Sequence, residues 1–97
     1  MRGYGPLIKG IIKVKLGKVV ITRGVNAQIS KSIEFSKFIL DSIGRYRNCD
    51  WGDLCKEDWK MNDLAVKNGD GRILARYNDI YIITEAGFTT ILFCDEY

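Results

Sequence analysis

Four carboxylates, Asp50, Asp53, Glu57 and Asp58, crowd the stretch DWGDLCKED, with Trp51 among them and Trp59 directly after. With Glu85 or Asp95 nearby, such a group would hold a magnesium ion for phosphodiester cleavage. The same acids at the start of a helix also complement its dipole without any ligand. Nuclease sites of this kind carry a lysine or histidine placed by a defined motif, and none is found here. The chain has no histidine at all, which removes the commonest general base and the commonest metal ligand. Cys49, Cys55 and Cys94 form no Cys-x-x-Cys pair, and three thiolates fall short of the four ligands of a structural zinc site. Gly17-Lys18 lacks the spacing and hydroxyl of a phosphate-binding loop, and Gly69 and Gly71 follow a helical pattern where a dinucleotide site needs them to precede one. The expectation is a protein that is not an enzyme, with no cofactor and no metal; a magnesium-dependent nuclease is the third reading.

Two non-catalytic uses of charge remain. Asp50, Trp51, Asp53, Glu57 and Asp58 would form an acidic and aromatic patch that binds a protein, tryptophan being enriched at interface hot spots. Trp51 either serves as an exposed anchor or closes the core, and Trp59 is expected to bury. The alternative surface is basic: Lys9, Lys13, Lys15, Lys18 and Arg23 fall in or beside a stretch that alternates like a strand. A row of ammonium groups suits phosphates, and lysines equally protect an exposed edge strand. The charge is polarised along the chain: residues 1–33 carry +7 and residues 34–97 carry −4, for a net +3.

The elements that would position these groups follow from periodicity. Residues 7–16 alternate as a strand, Gly17-Lys18 breaks it, and Val19 to Arg23 makes a second strand. Gly24 to Ile29 reads as a turn or one helical turn. Phe35, Phe38, Ile39, Ile43 and Tyr46 form one helical stripe, predicting a helix from about Lys31 to Ile43, with Ser30 or Ser32 as cap and Gly44 as stop. A second helix is predicted from Asp53 or Leu54 to Lys67. Ile73, Ala75 and Tyr77, then Ile80, Ile82 and Thr84, then Thr89, Ile91 and Phe93 recur at every second residue, as three half-buried strands joined by tight turns at Asn78-Asp79 and Ala86-Gly87. The predicted fold is α+β, a small single-layer antiparallel sheet in the order β-β-α-α-β-β-β with two helices packed on one face.

With 97 residues the chain makes one domain, and 46% hydrophobic with 28% charged residues is a globular composition. No run approaches the roughly 20 apolar residues of a membrane span, and no leader pattern is evident, so a cytoplasmic location with reduced cysteines is expected. A monomer or a homodimer fits equally.

The strings GKVVITRGV (17–25), DWGDL (50–54), NDLAVKNGDGRILARY (62–77) and IITEAGFTTILFCDEY (82–97) together resemble a family of small bacterial proteins borne by plasmids, phages and integrated elements. Its members are labelled "plasmid related protein" or restriction-system subunit. The resemblance covers Gly17 to Tyr97, leaving residues 1–16 as a basic extension. Family members usually carry an Asp-Arg pair in the loop before the Thr pair, where this chain has only Gly87 and Phe88 between Ala86 and Thr89. The resemblance implies a mobile-element setting, in which small proteins frequently inhibit host defence, as anti-CRISPR and anti-restriction proteins do. It implies as partner a defence nuclease or its nucleic-acid complex, against which the acidic patch would imitate nucleic-acid charge locally.

Overall fold

The computed structural model describes residues 13–97. Their order is β1 (Lys18–Ile21), α1 (Arg23–Lys31), α2 (Ile33–Arg47), α3 (Lys56–Asn68), β2 (Ile73–Tyr77), β3 (Ile80–Glu85), β4 (Phe88–Phe93) and a terminal 3-10 turn, Cys94–Glu96. The strands form one sheet in the spatial order β1-β4-β3-β2. β2, β3 and β4 are the predicted meander, antiparallel with Ala75 opposite Ile82 and Ile82 opposite Ile91. β1 joins the far side of β4 in parallel, Val19 beside Thr89 and Ile21 beside Ile91, so the sheet is mixed rather than antiparallel.

The core lies on one sheet face. Ile73, Ala75, Tyr77, Ile80, Ile82 and Ile91 bury against Val25 of α1 and against Ile39 and Tyr46 of α2. Phe35 meets Phe93 at 5.6 Å between ring centroids, and the Tyr46 hydroxyl donates to Thr84 Oγ1 at 2.7 Å. From there a polar thread crosses the core: Thr84 and Thr89 hydroxyls lie 2.7 Å apart, and Thr89 donates to the Leu16 carbonyl at 2.6 Å. α3 stands elsewhere, against the outer edge of β2, where Asn62 bonds the Leu74 backbone.

Several boundaries differ from the sequence reading, each for a local reason. The first predicted strand falls largely outside the described residues, and its end, Lys13 to Gly17, is irregular. Val14 N–H bonds to the Arg47 carbonyl, and Gly17 takes a φ of 61°, where a Cβ would sit 2.3 Å from the Gly87 oxygen. Two loops meet too closely there for any side chain. The second strand is shifted to Lys18–Ile21 because Thr22 turns the chain, its side chain capping Val25 N–H, so Arg23 opens a helix. Gly24 to Ile29 therefore lies inside nine-residue α1. Ser32 caps α2, which runs through Gly44 so that Tyr46 can complete the apolar stripe. The last helix starts at Lys56, because Trp51 to Asp53 are engaged in pairing with β2. Among the described residues three helices rather than two thus flank the sheet: α1 and α2 cover its core face, and Trp59, Ala65 and Val66 of α3 pack on the same core from the β2 edge.

Candidate functional site

The acidic and aromatic stretch forms a loop that docks on β2. Gly52 bridges to Arg76 in parallel: Arg76 N–H donates to the Trp51 carbonyl at 3.3 Å, and Asp53 N–H donates to the Arg76 carbonyl at 2.7 Å. Gly52 has a φ of 72°, and a Cβ on it would lie 2.0 Å from the Arg76 oxygen. Trp51 is the core alternative: it is 0% exposed, packs edge-on to Tyr46 at 5.5 Å and donates from Nε1 to Asp63 at 2.9 Å. Its indole is unavailable to a partner while the protein is folded.

Asp50 is also occupied. Arg45 holds it through Nε at 2.8 Å and Nη2 at 3.1 Å, and its Oδ1 accepts from Gly52 N–H. That paired geometry is the charge-assisted fork expected of arginine and carboxylate. The hydrogen bond to Asp50 raises the Arg45 pKa further above its ordinary value. The Tyr77 hydroxyl donates to the Asp50 carbonyl at 2.6 Å; burial first, then the Asp50 charge, pushes its pKa up. Burial likewise lifts Tyr46 to about 12. Asp53 accepts from Asn78 N–H at 2.8 Å, tying the loop to the β2-β3 turn. Glu57 and Asp58 stand exposed in the first turn of α3, where the dipole favours them. The five residues, neighbours in the chain, divide into a structural clasp (Asp50, Trp51 and the exposed but hydrogen-bonded Asp53) and two acids exposed on α3. Among the described residues no three His, Cys, Asp or Glu side chains gather as a metal-holding group.

The basic set is dispersed. Lys9 lies outside the described residues; Lys13 and Lys15 are exposed in the irregular segment, Lys18 opens β1 and Arg23 opens α1. The bond from Val14 to Arg47 brings exposed Arg47 alongside Lys13 and Lys15, a neighbour that sequence spacing could not supply.

The surface missed in the sequence is the second sheet face. Register places Val20, Thr90, Ile83 and Leu74 in one row across it, with Leu92, Tyr81 and Arg76 in the next and Lys18, Phe88 and Glu85 in the third. Phe88 is 49% exposed, and Leu92, though buried, is separate from the main core. Tyr97 folds onto this face, edge-on to Tyr81 at 5.5 Å, and Arg72 lies over its ring and hydrogen-bonds its hydroxyl. Beside Leu74 opens a hollow of about 270 Å³ lined by Leu54, Asp58, Met61, Asn62, Arg72 and Leu74. A signal was present: the meander strands are apolar in both phases of their alternation, as strands with two covered faces are.

No described helix is long and apolar enough to cross a membrane. Comparison with family models, with curated proteins and with solved structures gives no match.

Proposed function

We propose that this chain is a non-catalytic interaction protein of a mobile element that inhibits a host nucleic-acid-directed defence system, of the anti-CRISPR or anti-restriction type, by binding a nuclease complex. The single observation that carries the binding is the second sheet face. Exposed Phe88, Tyr97 and Val20, with half-buried Tyr81 and Ile83 beside them, give it the aromatic and aliphatic character of an interface core, and Arg72, Arg76, Lys18 and Glu85 give it a charged rim. The hollow between Leu54, Met61 and Leu74 adjoins that face and suits one anchoring side chain of a partner. Asp58 lines the hollow and, with exposed Glu57 beside it in the chain, supplies the local negative charge of the acidic patch, while Asp50, Trp51 and Asp53 hold the loop that precedes them. The defence setting comes from the resemblance of Gly17 to Tyr97 to plasmid and phage proteins. A chain without histidine needs no catalysis to block a channel or lock a nuclease.

The test is a pull-down of the tagged protein from host lysate, split into nuclease-treated and untreated halves. Retention of a CRISPR or restriction subunit after nuclease treatment supports this reading. Recovery of nucleic acid alone, lost on treatment, overturns it.

One observation favours a second reading. The Val14 to Arg47 backbone bond ties the segment carrying exposed Lys13 and Lys15 to the end of α2, where exposed Arg47 adds a basic residue, so this end of the molecule would contact phosphates as a nucleic-acid-binding accessory module does. Its mark is binding that weakens steeply with salt and weakens again on Lys13→Ala with Lys15→Ala.

A further inference from the structure

The two edges of the sheet are treated differently. At the β2 edge every outward peptide group of Leu74 and Arg76 is met: Asn62 bonds Leu74 N–H and C=O, and Trp51 and Asp53 bond those of Arg76. At the other edge, β1 turns Lys18 and Thr22 N–H toward β4, donating to the Gly87 and Ile91 carbonyls. The alternation of a strand then points the Val19 and Ile21 peptide groups outward. Among the described residues nothing bonds them there, and all four β1 residues are exposed, Val19 at 43% and Ile21 at 38%. An open edge free of inward charge is a template for another strand, and the shortness of β1 limits how strongly it pairs.

We propose that β1 is a homodimerisation strand, pairing antiparallel with β1 of a second copy about a two-fold axis at Val20. The register follows from the outward groups. Val19 faces the partner's Ile21 and exchanges both peptide hydrogen bonds with it, and Val20 faces the partner's Val20 in the close, non-bonded pair, with Cα atoms about 4.5 Å apart. Every side chain stays on its own face, since positions that sum to an even number share one. Charge fits a second copy as well. Lys18 comes opposite the partner's Thr22, whose hydroxyl, within each chain, donates to Glu96 at 2.8 Å. Each ammonium therefore arrives beside the partner's Glu96 carboxylate, twice over by symmetry, which offsets the like charge of Arg23 next to Thr22. A shift of the register by two residues in either direction loses that match. The result is one continuous eight-stranded sheet. This inference is independent of the defence reading.

So short a ladder lies below a standard interface, so association is expected to depend on concentration. The experiment uses the full chain with Cys55→Ser and Cys94→Ser, in sedimentation equilibrium up to about millimolar protein and in mild oxidation. The expected result is a shift of mass from 11.1 kDa toward twice that value. Val20→Cys gives a disulfide-linked dimer, because the facing pair lies within disulfide reach. Val19→Cys alone gives none, but crosslinks when mixed with Ile21→Cys. Val20→Asp, which sets two carboxylates opposite each other, loses the dimer near neutral pH with circular dichroism unchanged, and Glu96→Lys weakens it. A chain that stays monomeric throughout, or a dimer in which Val19→Cys links as fast as Val20→Cys, overturns the proposal.

Discussion

Asn62 hydrogen-bonds both peptide groups of Leu74, its Nδ2 donating to the carbonyl at 2.7 Å and its Oδ1 accepting from the N–H at 3.3 Å. One side-chain amide stands in for a missing neighbour strand and fixes α3 to the sheet edge. Asn62 is itself buried, so its loss strands polar groups on both sides. Asn62→Leu is expected to cost about 1–3 kcal/mol in urea unfolding, the range for unmade buried hydrogen bonds. Asn62→Asp keeps the acceptor and loses the donor, setting a carboxylate against the Leu74 carbonyl. It should be destabilising near neutral pH and partly recover as the pH falls toward about 4, because burial beside the carbonyl raises the folded-state pKa and the protonated acid donates again. That partial recovery is complete below the unfolded-state value.

Trp51 gives a prediction that separates clasp from contact. Truncating a fully buried tryptophan typically costs about 3–5 kcal/mol, and Trp51→Ala also leaves Asp63 without its indole donor. The variant is expected to lose most of the stability of so small a domain, visible as a large fall in the urea midpoint. Glu57→Ala with Asp58→Ala, both exposed, should lose only the dipole contribution, about 0.3–1 kcal/mol for each, and stay folded. Loss of partner binding by the acidic pair in a folded variant would mark those acids as contact residues.

The buried tyrosines make stability fall in alkali. Tyr46 and Tyr77 are 0% and 1% exposed, and burial raises both pKa values in the folded state, Tyr46 to about 12. In the unfolded chain they ionise near 10. Above that pH the unfolded state has released protons the folded state still holds. Stability is thus fully present below about pH 10 and declines as pH rises toward the folded values, at up to about 1.4 kcal/mol per unit for each tyrosine. Thermal melts between pH 8 and 11.5 should show the decline, and Tyr77→Phe should reduce its slope. A slope equal to wild type in that variant would contradict the assignment to Tyr77.

Much of this fold is legible in the sequence where one local signal governs. The meander follows from alternation and two turn dipeptides, and the α2 stripe from Phe35 to Tyr46 follows from helical spacing. The first third is less legible because its determinants are distant. Val19 to Ile21 reads as the return strand of a hairpin, yet it pairs in parallel with β4, a partner about seventy residues away in sequence. Gly44 carries a stop signal that Tyr46 overrides by packing on Trp51 and Thr84. In the candidate site, the composition of 50–58 announces an exposed acidic patch, whereas Arg45, Tyr77 and Arg76 convert half of it into a clasp. No spacing rule links 45, 50 and 77. The second sheet face was visible only as excess apolarity in the opposite phase, at Ile83, Phe88 and Leu92, a signal that the alternation of the buried phase conceals.

The most direct test of binding through that face is the nuclease-treated pull-down carried out with wild type beside Phe88→Glu and Tyr97→Ala, variants of two exposed side chains outside the core. Wild type is expected to retain a defence nuclease subunit after treatment, with both variants folded and its recovery reduced at least about tenfold, as loss of an interface hot spot gives. Equal recovery by the variants, or a wild-type eluate holding only nucleic acid that treatment removes, would contradict it.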